Sequence, residues 1–295
     1  MAILKSGDKI GFIAPSCSQQ NKDLTKAIKY FESLGLNVVL APNLNKEYRY
    51  MADTDINRAK AINQMYKDTS IKALFCIRGG AGSSRLLNYL DYDLIKNNPK
   101  PIIGLSDSTI LQNALITKSK IKSFTGFLPL YDFKNKNIDS LVSSSLENAL
   151  FDDKHHITSG SPFKKGEAKG VLIGGTLSSL LYLCGTPYFP NLKNKILLLE
   201  DTDEKTYKID LMLNQIKQQK NFNQLRGIIF GKFSDCIIID KEDGTIEDCI
   251  KDFTKDLNIP IITDFEYGHI PSRYVLPLGT QIKIKSSQNN CSISW

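Results

Sequence analysis

The sequence predicts an α/β protein with a parallel-sheet domain followed by a β-rich domain. In the first third of the chain, short apolar segments alternate with segments of helical spacing. A polar stretch comes next, and the remainder combines short apolar strands with few helices. Strands alternating with helices are typical of a parallel sheet covered on both faces. With 295 residues, of which 41% are hydrophobic, the chain is long enough for two cores.

The first domain is predicted over residues 1–131. Apolar segments predict strands over residues 8–15, 36–41, 71–77 and 101–105. Helical spacing predicts helices over residues 21–34, 55–68, 83–90 and 108–117. Gly35 is expected to end the first of these helices.

Residues 132–165 are mainly polar and charged, and we interpret them as a linker with one helix over residues 138–150. The second domain is expected over residues 166–295, as a twisted sheet or small barrel with attached helices. Its predicted strands are residues 168–173, 196–200, 227–230, 260–262 and 291–295. Its predicted helices are residues 177–184 and 208–218.

Composition narrows the class of protein. The sequence has no apolar run of about 18 residues and no recognisable export signal, so we expect neither a membrane protein nor a secreted one. Six scattered cysteines without zinc-type spacing favour free thiols in the cytoplasm and no metal. The net charge of +7 is spread along the chain and lacks the basic stripe of a nucleic-acid-binding protein.

Ser106 stands where the predicted strand 101–105 meets the next helix. A sharp strand-to-helix turn presents a side chain at the carboxyl end of a parallel sheet, where ligands bind in open α/β folds. The helix N-terminus offers N–H groups and a positive dipole end to an oxyanion. The motif Gly104-Leu105-Ser106-Asp107 therefore indicates a nucleophile, but an N-cap at Ser106 or Asp107 explains it equally well.

A nucleophilic serine needs a base, and the chain has only three histidines. His155 and His156 lie together in the polar linker, which favours a solvated pair. His269 lies in a loop between an apolar strand and a proline, and such loops often carry catalytic side chains. His269 is the candidate base, with a surface or capping histidine as the alternative.

Two carboxylates, Glu200 and Asp201, end the apolar strand 196–200. A buried carboxylate requires a cationic or hydrogen-bonding partner. Glu200 adjoins the apolar run and is the better candidate for orienting a histidine. A strand-end carboxylate that faces solvent is the alternative.

A glycine-rich segment, residues 78–85, follows one predicted strand and precedes a helix. The backbone N–H groups at Gly79 and Gly80 could bind a phosphate or form half of an oxyanion hole. A simple turn is the alternative. The chain lacks both the P-loop motif and the GxGxxG dinucleotide motif, so no nucleotide cofactor is expected.

Several segments together resemble the LD-carboxypeptidase family of serine peptidases, which includes muropeptide tetrapeptidases and microcin-immunity peptidases. The similar segments run through nearly the whole chain. They include Gly7-Asp8, Ile13-Ala14-Pro15-Ser16, Arg78-Gly79-Gly80, Gly104-Leu105-Ser106-Asp107, Gly174-Gly175, Gly185-Thr186-Pro187, Leu199-Glu200-Asp201, Gly268-His269 and Leu276-Pro277-Leu278-Gly279.

The resemblance implies a catalytic triad of Ser106, Glu200 and His269. It implies a flavodoxin-like N-terminal parallel-sheet domain carrying Ser106, and a smaller, barrel-like C-terminal β-rich domain carrying Glu200 and His269. It also implies an enzyme without cofactor or metal that forms a homodimer.

The implied reaction is hydrolysis of the bond between meso-diaminopimelate and the terminal D-alanine of muropeptide tetrapeptides, in peptidoglycan recycling. The resemblance implies an acyl-enzyme mechanism in which the N–H of Asp107, with one from Gly79 or Gly80, binds the oxyanion.

Three positions differ from the family pattern: Ala81, Leu105 and Thr176. None is a triad member, but all bear on the substrate pocket, so pentapeptide and cross-linked stems are also candidate substrates. Two other functions are considered, a microcin-type hydrolase of peptidyl nucleotides and a noncatalytic muropeptide-binding module. The single tryptophan, Trp295, and the short chain favour the muropeptide substrate over the nucleotide one.

Overall fold

The structure is a computed structural model that describes residues 3–19, 22–134, 137–152, 155–288 and 290–295. The chain forms two compact units. The first unit comprises Met1–Asp153 and Tyr274–Gly279, and the second comprises Lys154–Arg273 and Thr280–Trp295. The domain boundaries at residues 131 and 166, which we took from composition, stay predictions.

The strands and helices are numbered in chain order. The strands are β1 (Lys9–Ile13), β2 (Asn37–Leu40), β3 (Ile71–Cys76), β4 (Ile102–Gly104), β5 (Ser123–Thr125), β6 (His156–Thr158), β7 (Ser161–Lys164), β8 (Gly166–Thr176), β9 (Lys195–Thr202), β10 (Gly227–Ser234), β11 (Ile261–Thr263), β12 (Leu276–Leu278), β13 (Gln281–Ser287) and β14 (Asn290–Ser294). The helices are α1 (Thr25–Ser33), α2 (Asp55–Lys67), α3 (Tyr92–Asn97), α4 (Ser108–Ser119), α5 (Pro129–Asp132), α6 (Ser140–Phe151), α7 (Leu177–Leu181), α8 (Thr206–Lys217) and α9 (Ile246–Thr254).

The sheet of the first unit has the strand order β12-β5-β4-β3-β1-β2. Its five strands β1 to β5 are parallel, and β12 pairs antiparallel with β5. The order 2-1-3-4-5 of the parallel strands is that of flavodoxin, in which ligands bind outside the carboxyl ends of β1 and β3. The predicted flavodoxin-like domain is confirmed.

The central elements of this unit are buried on nearly every side. Strand β4 is fully buried, and in α4 the side chains of Ile110, Leu111 and Leu115 are at most 1% exposed. A parallel sheet with helices on its faces requires such continuous apolar runs. This burial fixes β4 and α4 firmly, and with them the turn between the two.

The sheet of the second unit has the order β6-β14-β13-β8-β9-β10-β11-β7. Strands β8 to β11 are parallel, and the flanking strands are antiparallel. The Ser286 hydroxyl of β13 donates a hydrogen bond of 3.3 Å to the Ile261 carbonyl of β11, although three strands separate them in the sheet. The sheet therefore curves back on itself, as the prediction of a barrel-like domain requires.

Some predicted elements differ from the structure. The helix predicted over residues 83–90 is a 3-10 helix, Ser83–Tyr89. The helix predicted to begin at Asn21 begins at Thr25 in the structure, and Asn21 itself lies outside the described residues. The helix predicted within the linker over residues 138–150 is α6, whereas other linker residues form the strands β6 and β7, which belong to the sheet of the second unit. Across the described ranges, every helix is too short or too polar to cross a membrane.

Candidate active site

Ser106 lies in the turn between β4 and α4. Its backbone has a φ of 66°, in the left-handed region that residues with a side chain seldom adopt. Ser106 is partly exposed, whereas its neighbours Leu105 and Asp107 are 1% and 4% exposed. A strained strand-to-helix turn that lifts one serine out of a buried segment is the geometry of a nucleophile elbow.

Two glycines allow the backbone to pack closely around this turn. A Cβ atom at Gly104 would lie 2.5 Å from the Cβ of Ser108, and one at Gly79 would lie 2.7 Å from the Cβ of Ser106. Any side chain at these positions would therefore displace a serine. The contact at Gly79 also shows that the glycine-rich segment lies directly against the candidate nucleophile.

Backbone N–H groups lie beside Ser106, on the next residue and on the adjoining glycine-rich segment. Among the described residues of the first unit, the N–H groups of Gly79, Gly80 and Asp107 find no hydrogen-bond acceptor. Asp107 occupies the N-cap position of α4, where N–H groups lack partners within the helix. Such donors can stabilise a negatively charged oxygen that forms at Ser106.

The Asp107 side chain joins segments from three parts of the first unit. It makes no capping hydrogen bond to α4, so helix capping does not explain this side chain. Instead its Oδ2 accepts hydrogen bonds of 2.6 Å from the Ser16 hydroxyl and 2.9 Å from the Ser83 N–H. Burial raises the pKa of Asp107, against the effect of these donors and of the Arg58 charge. The segments after β1, β3 and β4 are thereby tied together, a role that the sequence did not reveal.

Replacing Asp107 with alanine is expected to lower the free energy of unfolding by about 2–4 kcal/mol, because a buried N–H and a buried hydroxyl lose their acceptor. Urea denaturation measures the effect. The control is Asp91→Ala, which removes an exposed cap from α3, a bond worth about 1 kcal/mol. Equal losses in the two variants would contradict the role assigned to Asp107.

Glu200 and His269 form a hydrogen-bonded pair in the second unit. The Nδ1 of His269 lies 2.9 Å from Oε2 of Glu200, and the His269 backbone N–H donates to the same oxygen at 3.1 Å. The Thr176 hydroxyl donates to Oε1. The Glu200 side chain is fully buried and that of His269 is 16% exposed, so Glu200 is not a solvent-facing carboxylate. With Nδ1 directed to Glu200, Nε2 is the nitrogen that can exchange a proton.

The loop that carries His269 is fixed on the end of β10. The Lys232 N–H donates a 2.8 Å hydrogen bond to the Tyr267 carbonyl, and the Ser234 hydroxyl donates one of 3.2 Å to the His269 carbonyl. Gly268 has a φ of 130°, and a Cβ there would lie 2.8 Å from Oε2 of Glu200. A glycine is therefore required where the loop passes over the carboxylate.

Burial and neighbouring charges shift the pKa of His269 in opposite directions. Burial lowers its pKa, but the hydrogen bond to Glu200 and the charges of Glu200 and Asp201 outweigh this effect. The pKa of His269 therefore lies above its ordinary value of 6.5. A raised pKa makes the imidazole a stronger base, provided that it is neutral at the working pH.

Asp201 has a different role from Glu200. Burial raises the pKa of Asp201 to about 6, and its carboxylate accepts hydrogen bonds from the N–H and the hydroxyl of Ser178. Successive residues of a strand point to opposite faces. The structure therefore directs Glu200 to His269 and Asp201 to the first turn of α7.

The other two histidines have different surroundings. The ring of His155 stacks on Trp295, with centroids 4.5 Å apart, and His156 is exposed on β6. Thr176, one of the three departures from the family pattern, is a further site residue, because it binds Glu200. As far as the chain is described, no group of three or more His, Cys, Asp or Glu side chains could hold a metal ion.

Comparisons with known proteins cover both units. Residues 10–126 match the family described as LD-carboxypeptidase N-terminal domain, and residues 169–284 match the LD-carboxypeptidase C-terminal domain. The chain is 30% identical to a protein of Bacillus subtilis (strain 168) named "Probable murein peptide carboxypeptidase", over 98% of this chain and 92% of that protein.

Two solved structures are similar over nearly their whole length. An MccF-like protein from Bacillus anthracis str. Ames has 30% sequence identity and a TM-score of 0.88, covering 99% of this chain and 97% of that one. A muramoyltetrapeptide carboxypeptidase from Oxalobacter formigenes has 25% identity and a TM-score of 0.89, covering 97% and 98%.

Proposed function

Since the chain belongs to the LD-carboxypeptidase family, we propose that it is a serine carboxypeptidase that removes the terminal D-alanine from muropeptide tetrapeptides. The bond cleaved is the one between meso-diaminopimelate and D-alanine. The observation that carries the proposal is the buried Glu200–His269 pair, a base held by a carboxylate, in a chain that also presents Ser106 on a strained turn. The names of the B. subtilis and O. formigenes relatives support the substrate.

In the proposed mechanism Ser106 is the nucleophile. Neutral His269 takes the hydroxyl proton as the serine oxygen attacks the amide carbonyl, and Glu200 holds the imidazole and stabilises its cation. The protonated imidazole then donates the proton to the leaving amine of D-alanine. Water, activated by the same histidine, releases the tripeptide from the acyl-enzyme.

The oxyanion of the tetrahedral intermediate is assigned to backbone donors. The N–H of Asp107 supplies one hydrogen bond, and the N–H of Gly79 or Gly80 supplies the other. Two observations support this assignment: these groups donate no hydrogen bond to the part of the first unit that the structure describes, and Gly79 packs against Ser106. Each such donor typically contributes about 3 kcal/mol to the stability of the transition state.

The proposed biological setting is peptidoglycan recycling in the cytoplasm, with the enzyme acting as a homodimer. The family resemblance supports both assignments. All six cysteines are free thiols, which is consistent with a reducing compartment.

Incubation with a disaccharide tetrapeptide tests the activity. The expected products are free D-alanine and the disaccharide tripeptide, detected by chromatography with mass spectrometry. Release of an internal fragment, or recovery of the intact substrate from a folded protein, would contradict the assignment as a carboxypeptidase.

A second candidate function is hydrolysis of peptidyl nucleotides, as in microcin immunity. It is favoured by the MccF-like protein of B. anthracis, whose 30% identity equals that of the murein relative. Measuring kcat/KM on an aminoacyl sulfamoyl adenosine and on the tetrapeptide distinguishes the two. The proposed function predicts the higher value on the tetrapeptide.

A further inference from the structure

Arg78 lies at the position where a flavodoxin-like sheet binds its ligands. It is the second residue after β3, which is the neighbour of β1 at the switch point of the sheet. The side chain is half-buried, and its Nη1 donates a hydrogen bond to the carbonyl of Ser18, in the segment after β1. Arg78 thus joins the segments that follow β1 and β3, the two strands whose carboxyl ends define the ligand site.

Arg78 forms no ion pair with a carboxylate in the described ranges of the first unit, and its guanidinium donates to the Ser18 carbonyl instead. The other two arginines near the glycine-rich segment differ, because Arg58 and Arg85 both form ion pairs with Asp55. A guanidinium has five N–H donors, and a half-buried cation is stabilised by an anion that accepts several of them. Ser18, a residue that is 1% exposed, adds a buried hydroxyl that lacks a hydrogen-bond partner among the described residues.

Arg78 is also close to the candidate nucleophile through the backbone. Its neighbour Gly79 lies so close to Ser106 that a Cβ at Gly79 would be 2.7 Å from the Cβ of Ser106. Arg78 directly precedes Gly79 in the chain, and consecutive Cα atoms are about 3.8 Å apart. The Cα of Arg78 therefore lies about 3.8 Å from the Cα of the glycine that contacts Ser106. In a carboxypeptidase substrate the terminal carboxylate is likewise one residue, at most about 3.6 Å of chain, beyond the scissile carbonyl.

From these observations we propose that Arg78 binds the terminal carboxylate of the substrate and so restricts the enzyme to the last residue of the peptide. The planar guanidinium can pair with both carboxylate oxygens, a geometry that lysine cannot reproduce. This inference rests on the proposed function, because it names Arg78 as the residue that binds the carboxylate of the leaving D-alanine.

The test compares two ligands that differ only at the carboxyl end, the tetrapeptide with terminal D-alanine and the same peptide with terminal D-alaninamide. Calorimetry on the full-length Ser106→Ala variant measures binding without turnover. With Arg78 present, the free acid is expected to bind about 10- to 100-fold more tightly than the amide, the range of a charge-assisted hydrogen-bonded pair. In the Arg78→Gln variant the two affinities should become equal, and Arg78→Lys should retain only part of the difference.

Arg85→Gln, made in the same Ser106→Ala background, is the matched control, since it removes an arginine seven residues away that pairs with Asp55. It should keep the preference for the free acid. An undiminished preference in Arg78→Gln, or equal or undetectable binding of the two ligands when Arg78 is present, would overturn the inference. The proposed function fails separately, if the protein with Ser106 intact releases no D-alanine from the tetrapeptide.

Discussion

Replacing Ser106 with alanine is expected to lower kcat on the muropeptide tetrapeptide by about 10⁴- to 10⁶-fold, the loss typical of a serine peptidase without its nucleophile. Binding of the substrate should persist, since the backbone donors and Arg78 remain. The fold should also persist, because Ser106 is partly exposed and its hydroxyl has no hydrogen-bond partner among the first-unit residues that are described. The measurement is D-alanine release at saturating substrate.

Ser108→Ala is the control for this variant. Ser108 is the first residue of α4, two positions beyond Ser106, and is fully buried against Gly104. The same chemical change there should leave kcat within a few-fold of the wild-type value. A Ser106→Ala enzyme that retained a tenth of the wild-type kcat would contradict the assignment of Ser106 as the nucleophile.

The second large effect is expected from Glu200→Gln, with kcat about 10³- to 10⁴-fold lower. The amide keeps the size of the side chain but removes the charge that stabilises the imidazolium of His269. Because His269 must be neutral to act as the base, kcat/KM of the wild type should rise with pH through a pKa above 6.5. Without the Glu200 charge this pKa falls, so the acid limb of the profile should move to lower pH.

A pH–rate profile from about pH 5 to 9 measures this shift. Glu247→Gln is the control, because Glu247 is an exposed residue of α9 whose side chain pairs only with a surface lysine, Lys251, among the described residues. It should change neither kcat nor the profile. If Glu200→Gln lowered kcat but left the acid limb in place, the ionisation seen in the profile would not be that of His269.

Much of the first unit could be predicted from sequence, because its core helices and strands have apolar patterns within short stretches of the chain. The helix predicted over residues 55–68 is α2, and the strand predicted over residues 71–77 is β3. The strands β5 and β12 were missed. Each has three residues, and they pair with one another across about half of the chain, so no local pattern marks them.

Two elements of the second unit were not predicted, although their sequences contain patterns that indicate them. Strand β13 alternates between buried and exposed residues, which is the period of a strand with one covered face. Helix α9 begins with a capping box formed by Thr245 and Asp248. Both patterns lie within a few consecutive residues, so the strand and the helix could have been predicted from them.

The residues of the candidate site differ in how far the sequence alone predicted them. The position of Ser106 at a strand-to-helix junction followed from local sequence, and its left-handed backbone fits that position. The choice of Glu200 over Asp201 depended on the family resemblance, because both end the same apolar strand; only the fold directs Glu200 to His269. The contacts of Asp107 with Ser16 and Ser83 join residues distant in sequence, so no spacing could indicate them.

Mass spectrometry of the protein quenched in acid during a single turnover of the tetrapeptide tests the role of Ser106 most directly. After proteolysis, the peptide that contains Ser106 is predicted to carry the muropeptide tripeptide as an ester, and the same peptide from Ser106→Ala is predicted to carry none. An ester or thioester on any other residue, or an acylated Ser106→Ala variant, would contradict the assignment of Ser106 as the nucleophile.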